Sequence, residues 1–543
     1  MIWPLPPNAA PFVTLDWPVT ILGNPEHPEN VIVDANKASG IVFKLTHADA
    51  VVRGLTVINA KGGTTTAGTP LEYWNGGSFR VDDGAVEDCI IRDGKVGAVA
   101  TWEHFAYLEG ATMRRTTVTN CVYTGAPTTI WGGCAGVAIY AAVGSALEYV
   151  TVEDCSIKGG GGNNINLDAP VVLSASSMSH SIVRRNSTTY NEGASALSAG
   201  GVSLFGASTL ADTLVENNSA PVHNGTVAGG INMFYKDAPV IERCIVRSNA
   251  VVVGWSNTPT ISGGILASYG CTLRNCLVSG NSGPANASVA LATSSAGGVT
   301  LRTNSGSATG RMENCTVFGN TLVGNPNAAG VHMADWTVVN SIVYGNKATL
   351  TGGSVTYSLM PDAVEGEGNI TGDPLFVDAE NGDFKLTYAS GCVDSGTELE
   401  SVTVDLEGAA RPQDGKLSGT ARTDRGCYEM PPNDIPLDCS LSVPVPLAAA
   451  PYDVTVSAEV TGTRKTGLSY AWVCIGVYAD ATTRVEKATS EPTCVFENLG
   501  YGTYSFELTV TNDHEPQPDV AKAAARDALQ VSSSVCYVSP NGG

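Results

Sequence analysis

Apolar residues return along this chain at fixed places in a unit that repeats about every 32 residues. The unit reads Val-Glu-Asp-Cys89-Ile-Ile-Arg-Asp-Gly, then Ile-Glu-Arg-Cys244-Ile-Val-Arg-Ser-Asn249. It recurs as Leu-Arg-Asn-Cys276-Leu-Val-Ser-Gly-Asn281, Met-Glu-Asn-Cys315-Thr-Val-Phe-Gly-Asn320 and Val-Val-Asn-Ser341-Ile-Val-Tyr-Gly-Asn346. Weaker copies centre on Gly54, Thr116, Val150, Ser181 and Thr213. With the cysteine as position zero, position +2 holds Ile91, Val118, Val152, Val183, Val215, Val246, Val278, Val317 and Val343. β-branched residues at every copy mark an inward strand position. Position −3 is also apolar throughout, from Val86 and Met113 to Met312 and Val338. Three residues between inward positions breaks the period of two, so a corner separates two short strands.

Position +5 holds Asn59, Asn186, Asn218, Asn249, Asn281, Asn320 and Asn346. Asn tolerates left-handed backbone angles, and identical amides on stacked strands bond along the stacking axis. An internal Asn ladder at a tight turn is therefore expected. Paired glycines, Gly200-Gly201, Gly229-Gly230, Gly263-Gly264 and Gly297-Gly298, open a further apolar strand and permit a sharp bend. Variable loops between these segments explain unit spacings from 26 to 39 residues. Short strands, corners in place of hairpins and a ladder of like side chains describe a parallel β-helix. A leucine-rich horseshoe is excluded, because its Leu-x-x-Leu-x-Leu phrase is missing. With strands about 4.8 Å apart, ten to twelve coils would form a rod of roughly 50–60 Å.

Composition narrows the partners. The 543 residues exceed one compact core, and 61 glycines with only 15% charged residues suit a turn-rich β chain. A net charge of −22 argues against nucleic acid and repels anionic polysaccharide unless calcium or a local basic patch intervenes. No run of 18 apolar residues spans a membrane. The opening, Met1-Ile-Trp-Pro-Leu-Pro-Pro, lacks a signal-peptide core and reads as the middle of a coil, which predicts a chain cut from a longer protein. Of 14 cysteines, Cys89, Cys244, Cys276 and Cys315 share one repeat position and Cys121 and Cys155 another, where they act as small apolar residues. No Cys-x-x-Cys or Cys/His spacing suggests a metal.

The segment Gly372-Asp-Pro-Leu-Phe-Val-Asp378, Asn381-Gly-Asp-Phe-Lys-Leu386, Ser390-Gly-Cys-Val-Asp-Ser-Gly396, Asp405-Leu-Glu-Gly, Arg411-Pro and Asp424-Arg-Gly-Cys-Tyr-Glu429 carries a resemblance. It resembles the terminal coils of bacterial extracellular right-handed β-helix proteins of the pectate-lyase-like superfamily, and the resemblance covers roughly residues 15–430. Cys392 and Cys427 stand where that group usually has Ala, which implies a disulfide fixing the end of the solenoid. Beyond Pro431-Pro432, Leu468-Ser-Tyr-Ala-Trp472 and Gly502-Thr-Tyr-Ser-Phe-Glu-Leu-Thr-Val510 resemble an immunoglobulin-like sandwich of the polycystic-kidney-disease type. A bridge between Cys474 and Cys494 is conceivable there. The expected layout is coils over 1–347, terminal coils over 348–430, a sandwich over 431–515, and over 516–543 a linker opening a further β-helix. The fold class is thus all-β, a right-handed parallel β-helix solenoid followed by a small sandwich.

Glycoside hydrolysis needs two carboxylates about the scissile oxygen. Only Asp82-Asp83 is offered, without the other phrases of the polygalacturonase-like branch, and adjacent acids are common in turns. A lyase needs a base, for which Arg184 and Arg185 are candidates. Position +3 nevertheless alternates Arg184, Glu216 and Arg247, which cross-coil ion pairs explain more simply. The seven histidines share no metal or triad spacing. Asp378, Glu380 and Asp383 surround a turn glycine and are calcium candidates, although a plain turn accounts for them. Trp74, Trp102, Trp131, Trp255 and Trp336 lie outside the inward positions and are candidates for stacking on sugar rings. The resulting expectation is a secreted or bacterial cell-surface protein that binds extracellular polysaccharide or cell-surface glycan without catalysis. No cofactor is required and calcium is an option. The alternative is a polysaccharide lyase or glycoside hydrolase.

Overall fold

The computed structural model describes the chain except for residues 1, 5–11, 37–39, 62–76, 97–103, 124–136, 159–166, 190–194, 223, 234–237, 255–259, 269, 285–294, 303–309, 323–329, 417, 433–435, 463–464, 466, 514–517 and 533–543. Two compact units emerge: Met1–Pro412 with Arg422–Glu429, and Gln413–Ala421 with Met430–Gly543.

The first unit is a parallel solenoid. Its simplest sheet has 12 strands among the described residues, running from Ile2–Pro4 through Thr117–Thr119 and Ile245–Arg247 to Ile342–Tyr344. Each strand pairs in parallel with the strand one coil away, so Val246 lies opposite Val278, and Val278 opposite Val317. The column from Val57 to Val343 is wholly buried. Position −3 forms a second buried column, with Leu210, Ile241, Leu273, Met312 and Val338 in register. It belongs to a second sheet, in which each coil contributes two strand segments. Two long strands, Phe43–Arg53 and Phe79–Glu87, run through both segments and join them. Each fully buried Val or Leu contributes about 1.5–3 kcal/mol, and because the columns are continuous every coil supports its neighbours.

The corners show why a three-residue offset works. The residue before position zero takes a left-handed conformation in coil after coil, as at Asp88, Arg115, Tyr149, His180, Asp212, Arg243, Asn275, Asn314 and Asn340. A second left-handed column follows the first sheet at Asp93, Asn120, Asp154, Arg185, Asn217, Ser248, Gly280, Gly319 and Gly345. Asn59, with φ 57°, belongs to this column and not to the ladder, one residue away from the expected alignment. Its side chain donates to Asp34 Oδ1 at 2.9 Å.

The ladder itself runs through Asn186, Asn218, Asn249, Asn281, Asn320 and Asn346, none of which has positive φ. The left-handed turn is made by the residue before each. Asn186, Asn218, Asn249 and Asn281 each donate Nδ2 to the Oδ1 of the next at 2.9–3.0 Å. Each also donates to a valine carbonyl of the neighbouring coil, as Asn249 does to Val215 at 2.9 Å. In the next-lower coils the same site is filled by Cys155, whose N–H donates to Asn186 Oδ1 at 2.9 Å, and by Cys121.

Paired glycines answer to close approach. A Cβ on Gly200 would stand 2.3 Å from the Gly229 carbonyl oxygen, and one on Gly229 would stand 2.3 Å from that of Gly263. Coils stack backbone on backbone there. A small parallel sheet, Leu167–Asp168, Ser195–Ala199, Asn224–Ala228 and Thr260–Ser262, precedes these glycines.

The second unit contains a three-stranded antiparallel sheet, Asp438–Ser442, Tyr452–Thr461 and Thr493–Leu499, and a five-stranded sheet. Trp472 is buried between them and donates Nε1 to Thr489 Oγ1 at 2.9 Å. The five-stranded sheet includes Val520–Ser532, antiparallel to Gly502–Thr511 and parallel to Leu447–Ala449. The sandwich therefore continues past residue 515, and this stretch is strand where a linker was expected. Its alternation of Ala521, Leu529 and Val531 inward explains the pairing. Cys474 and Cys494 are buried free thiols.

Asn249→Leu should cost about 3 kcal/mol of solenoid stability in chemical denaturation, since both Asn218 nitrogens lose their acceptor inside the core. Asn346→Leu, half-buried near the end of the row, should cost clearly less.

Candidate functional site

The end of the solenoid is built by a return segment, residues 372–412 with 422–429, that lies on the outer face of the first sheet. On that face the outward column that reads Arg184, Glu216 and Arg247 in earlier coils continues as Ser279, Phe318 and Tyr344. Phe318 packs on Phe376 and Phe384 at ring distances of 5.9 and 5.1 Å. The left-handed corner carries Asn in these last three coils only. Asn275 donates to the Val404 carbonyl at 2.6 Å, Asn314 to Asp424 at 3.0 Å and Asn340 to Thr397 at 2.7 Å. The change from Asp, Arg, Tyr or His to Asn at this position is the sequence signal for docking.

Beneath the return segment lies a buried ionic group. Arg411 donates to the Asp424 and Gly426 carbonyls at 3.0 and 2.9 Å and lies 3.5 Å from Glu429. Asp405 accepts from the N–H groups of Glu407, Ala409 and Glu429. Every one of these contacts ties chain to chain, so the phrases around Asp405, Arg411 and Asp424 act as structural clamps. Cys392 and Cys427 form no disulfide, contrary to expectation. The Cys392 carbonyl accepts from the N–H of Arg425, two residues short of Cys427, while the Cys427 N–H turns to Thr316 Oγ1.

The other candidates disperse. Asp82 is paired with Arg80 at 2.7 Å, and Asp83 accepts from the Gly84 N–H at 2.9 Å. Arg184 binds Glu153 at 2.8 Å, and Arg185 binds Asp154 at 2.7 Å and Glu153 at 2.8 Å. The Asp154 carboxylate pushes the Arg185 pKa further up, so this guanidinium holds its proton and offers no base. Asp378 caps a short 3-10 turn by accepting from both nitrogens of Asn381, and Asp383 accepts from the Lys385 N–H. Asp378 and Asp383 are thereby engaged within their own turn, and no cluster of three His, Cys, Asp or Glu suited to a metal occurs among the described residues. Trp336 is 1% exposed and lies in the core against Gly310 and Gly353, which removes it as a sugar platform. Trp74, Trp102, Trp131 and Trp255 lie outside the described residues.

A different arrangement stands out on the second sheet. Along its first strand segment the residue between two inward positions points away from the core. Stacked in register this column reads Arg80, Tyr107, Tyr140, Val172, Ser203, Asn232, Leu266, Thr300 and His332. The adjoining small sheet turns Ala169, Ala199 and Ala228 toward it, and these pack with Val172 and Leu266 in a cluster separate from the main core. The two sheets thus form a crease, closed from Val172 to Thr300, where no column residue is more than 1% exposed, and partly exposed at Arg80, Tyr107 and Tyr140. Arg80 lies 5.5 Å over the Tyr107 ring, and Tyr107 stacks on Tyr140 at 5.6 Å, so these rings face one another along the axis. Ser203, Asn232 and His332 are at most 6% exposed. Ser203 Oγ, both amide atoms of Asn232 and His332 Nδ1 have no hydrogen-bond partner among the described residues. Burial, with the nearby Arg302 charge, lowers the His332 pKa and favours the neutral ring.

Residues 110–359 match the family model described as the right handed beta helix region. With the parallel sheets this identifies the solenoid as a right-handed β-helix. No curated protein and no solved structure matches the chain.

Arg411→Met should destabilise the first unit by about 3–5 kcal/mol in denaturant titration, because it strands Glu429 in the interior. Acid should also weaken the solenoid in a defined window. Hydrogen bonds from Arg115 and Arg185 hold the Asp88 and Asp154 carboxyls below their usual value of 3.8. Their stabilisation is complete above about pH 5 and is lost as pH falls through the depressed values. The melting-temperature gap between wild type and Arg115→Met should therefore be present at pH 7 and shrink toward pH 2.

Proposed function

We propose that this is a secreted or cell-surface protein that binds extracellular glycan without catalysis, and that the crease of the second sheet is the contact surface. One observation carries the reading: Ser203 and Asn232 on adjacent coils, and His332 three coils further on, are buried in the crease with hydrogen-bonding atoms unmatched among the described residues. An unmatched buried polar atom costs about 1–3 kcal/mol, and a functional requirement can offset that cost. Ser203 and Asn232 lie on successive coils about 4.8 Å apart along the axis, a spacing suited to neighbouring hydroxyls of an extended ligand. Neutral donors and acceptors suit a polyhydroxylated ligand better than a charged one, in keeping with the net charge of −22. Hydrolysis and elimination lack support, because Asp82, Asp83, Arg184 and Arg185 are each bound to structural neighbours. The glycan contact also explains a small, Ala-lined second wall beside the column.

Asn232→Leu tests the reading through two opposed effects. Removing unmatched polar atoms should leave the melting temperature unchanged or raise it. Binding to the glycans retained in an array should fall at least tenfold, by about 1.4 kcal/mol or more. Retention of every glycan by the variant would discard the crease. Unsaturated products or new reducing ends from a pectin, alginate or glycosaminoglycan panel would replace the non-catalytic reading with an enzymatic one.

A further inference from the structure

The return segment leaves a notch on the opposite sheet. Its hairpin, Phe376–Asp378 and Asp383–Leu386, carries a turn over residues 379–382 that overhangs the first sheet where charged coils meet apolar ones. Between turn and sheet lies an open cavity of about 450 Å³. Half-buried Phe318 on the sheet supplies its apolar side, backed by Leu277 and by Phe384 of the hairpin, which are almost wholly covered. Its polar end is Glu216 with Arg247, joined Oε2 to Nε at 2.8 Å, beside exposed Asn217.

Three glycines line this cavity: Gly280, Gly319 and Gly382. Their φ angles are 62°, 60° and 89°. Backbone angle alone does not demand glycine at the first two, since Asn120 and Asn217 hold φ 50° and 55° at the same corner of earlier coils. Nor does crowding, because a Cβ on Gly319 or Gly382 would meet nothing within 4 Å, and one on Gly280 would meet only Ser248 Oγ at 3.8 Å. What the missing side chains do is keep the mouth of the notch open.

We infer that the notch is a second binding site, which takes a single neutral hexopyranose unit. An aromatic and aliphatic wall opposite a carboxylate–guanidinium pair matches a sugar ring, with C–H groups on one face and hydroxyls at the edge. Glu216 neutralises Arg247, and Glu380 also lines the cavity, so a uronate carboxylate meets no net positive charge. This site lies on a different sheet from the crease and stands or falls independently of it.

Saturation-transfer NMR on the full chain with the methyl glycosides of glucose, galactose, mannose and galacturonic acid tests the assignment. At least one neutral glycoside should receive transfer, and more than the uronide. Gly319→Asn, which places a side chain at the mouth in a conformation its column already accepts, should abolish the signal. Arg247→Met should weaken the affinity at least tenfold, and it carries the decision should Gly319→Asn lower the melting temperature. The notch is refuted if no neutral glycoside shows transfer, if the uronide dominates, or if both variants keep the wild-type signal. A signal that survives Gly319→Asn but disappears in Asn232→Leu assigns the sugar to the crease, and equally refutes the notch.

Discussion

In the ladder an amide inside the solenoid bonds both to its counterpart one coil away and to the backbone beyond it. Asn218 donates to Asn249 Oδ1 and to the Val183 carbonyl, while its own Oδ1 receives two bonds from Asn186. A one-residue slip would leave buried donors and acceptors without partners and would turn the valine columns outward. Register is thereby fixed coil by coil, and the corners, both sheets and the return segment inherit it. Hydrophobic stacking supplies most of the stabilisation, but it does not distinguish between Val246 and a neighbouring valine. The amides do.

Register in turn decides where polar chemistry is permitted. The left-handed corners place one outward side chain per coil in line, and the chain uses that line differently along its length. Early coils hold mutually neutralising charges, such as Arg115 on Asp88 and Arg243 on Asp212. Late coils hold Asn275, Asn314 and Asn340, whose amides hold an irregular segment by its backbone. A solenoid end exposes unpaired edges and apolar residues, and here the last apolar outer face is covered from the side. The same covering produces the notch.

The columns were legible because a strand position and its coil-to-coil partner carry the same residue type, as with Val246, Val278 and Val317. The sandwich was legible through the alternation around Trp472 and Phe506. Three features were not. Asn59 looks like a ladder member, but the corner beside it tolerates Asn equally, and only pairing with Asp34 separates the two roles. Val520–Ser532 is rich in Ala and has a weak strand signature, so its partners in the sheet determined its state. The crease escaped notice because Ser203, Asn232 and His332 share no residue type. Their common property is geometric, an outward direction on stacked strands beside a second wall. Cys392 and Cys427 misled for the opposite reason, since proximity in a motif says nothing about which atoms face each other.

The thiols of the solenoid carry a consequence of their own. Burial pushes the Cys89 pKa up to about 11 and those of Cys271 and Cys427 up to about 12. At neutral pH these three thiols are almost wholly protonated while their coils are closed, so oxidants and alkylating reagents have little thiolate to attack there. Covalent labelling at these sulfurs then counts opening events, and a rod assembled by stacking reveals, cysteine by cysteine, which of its coils part first.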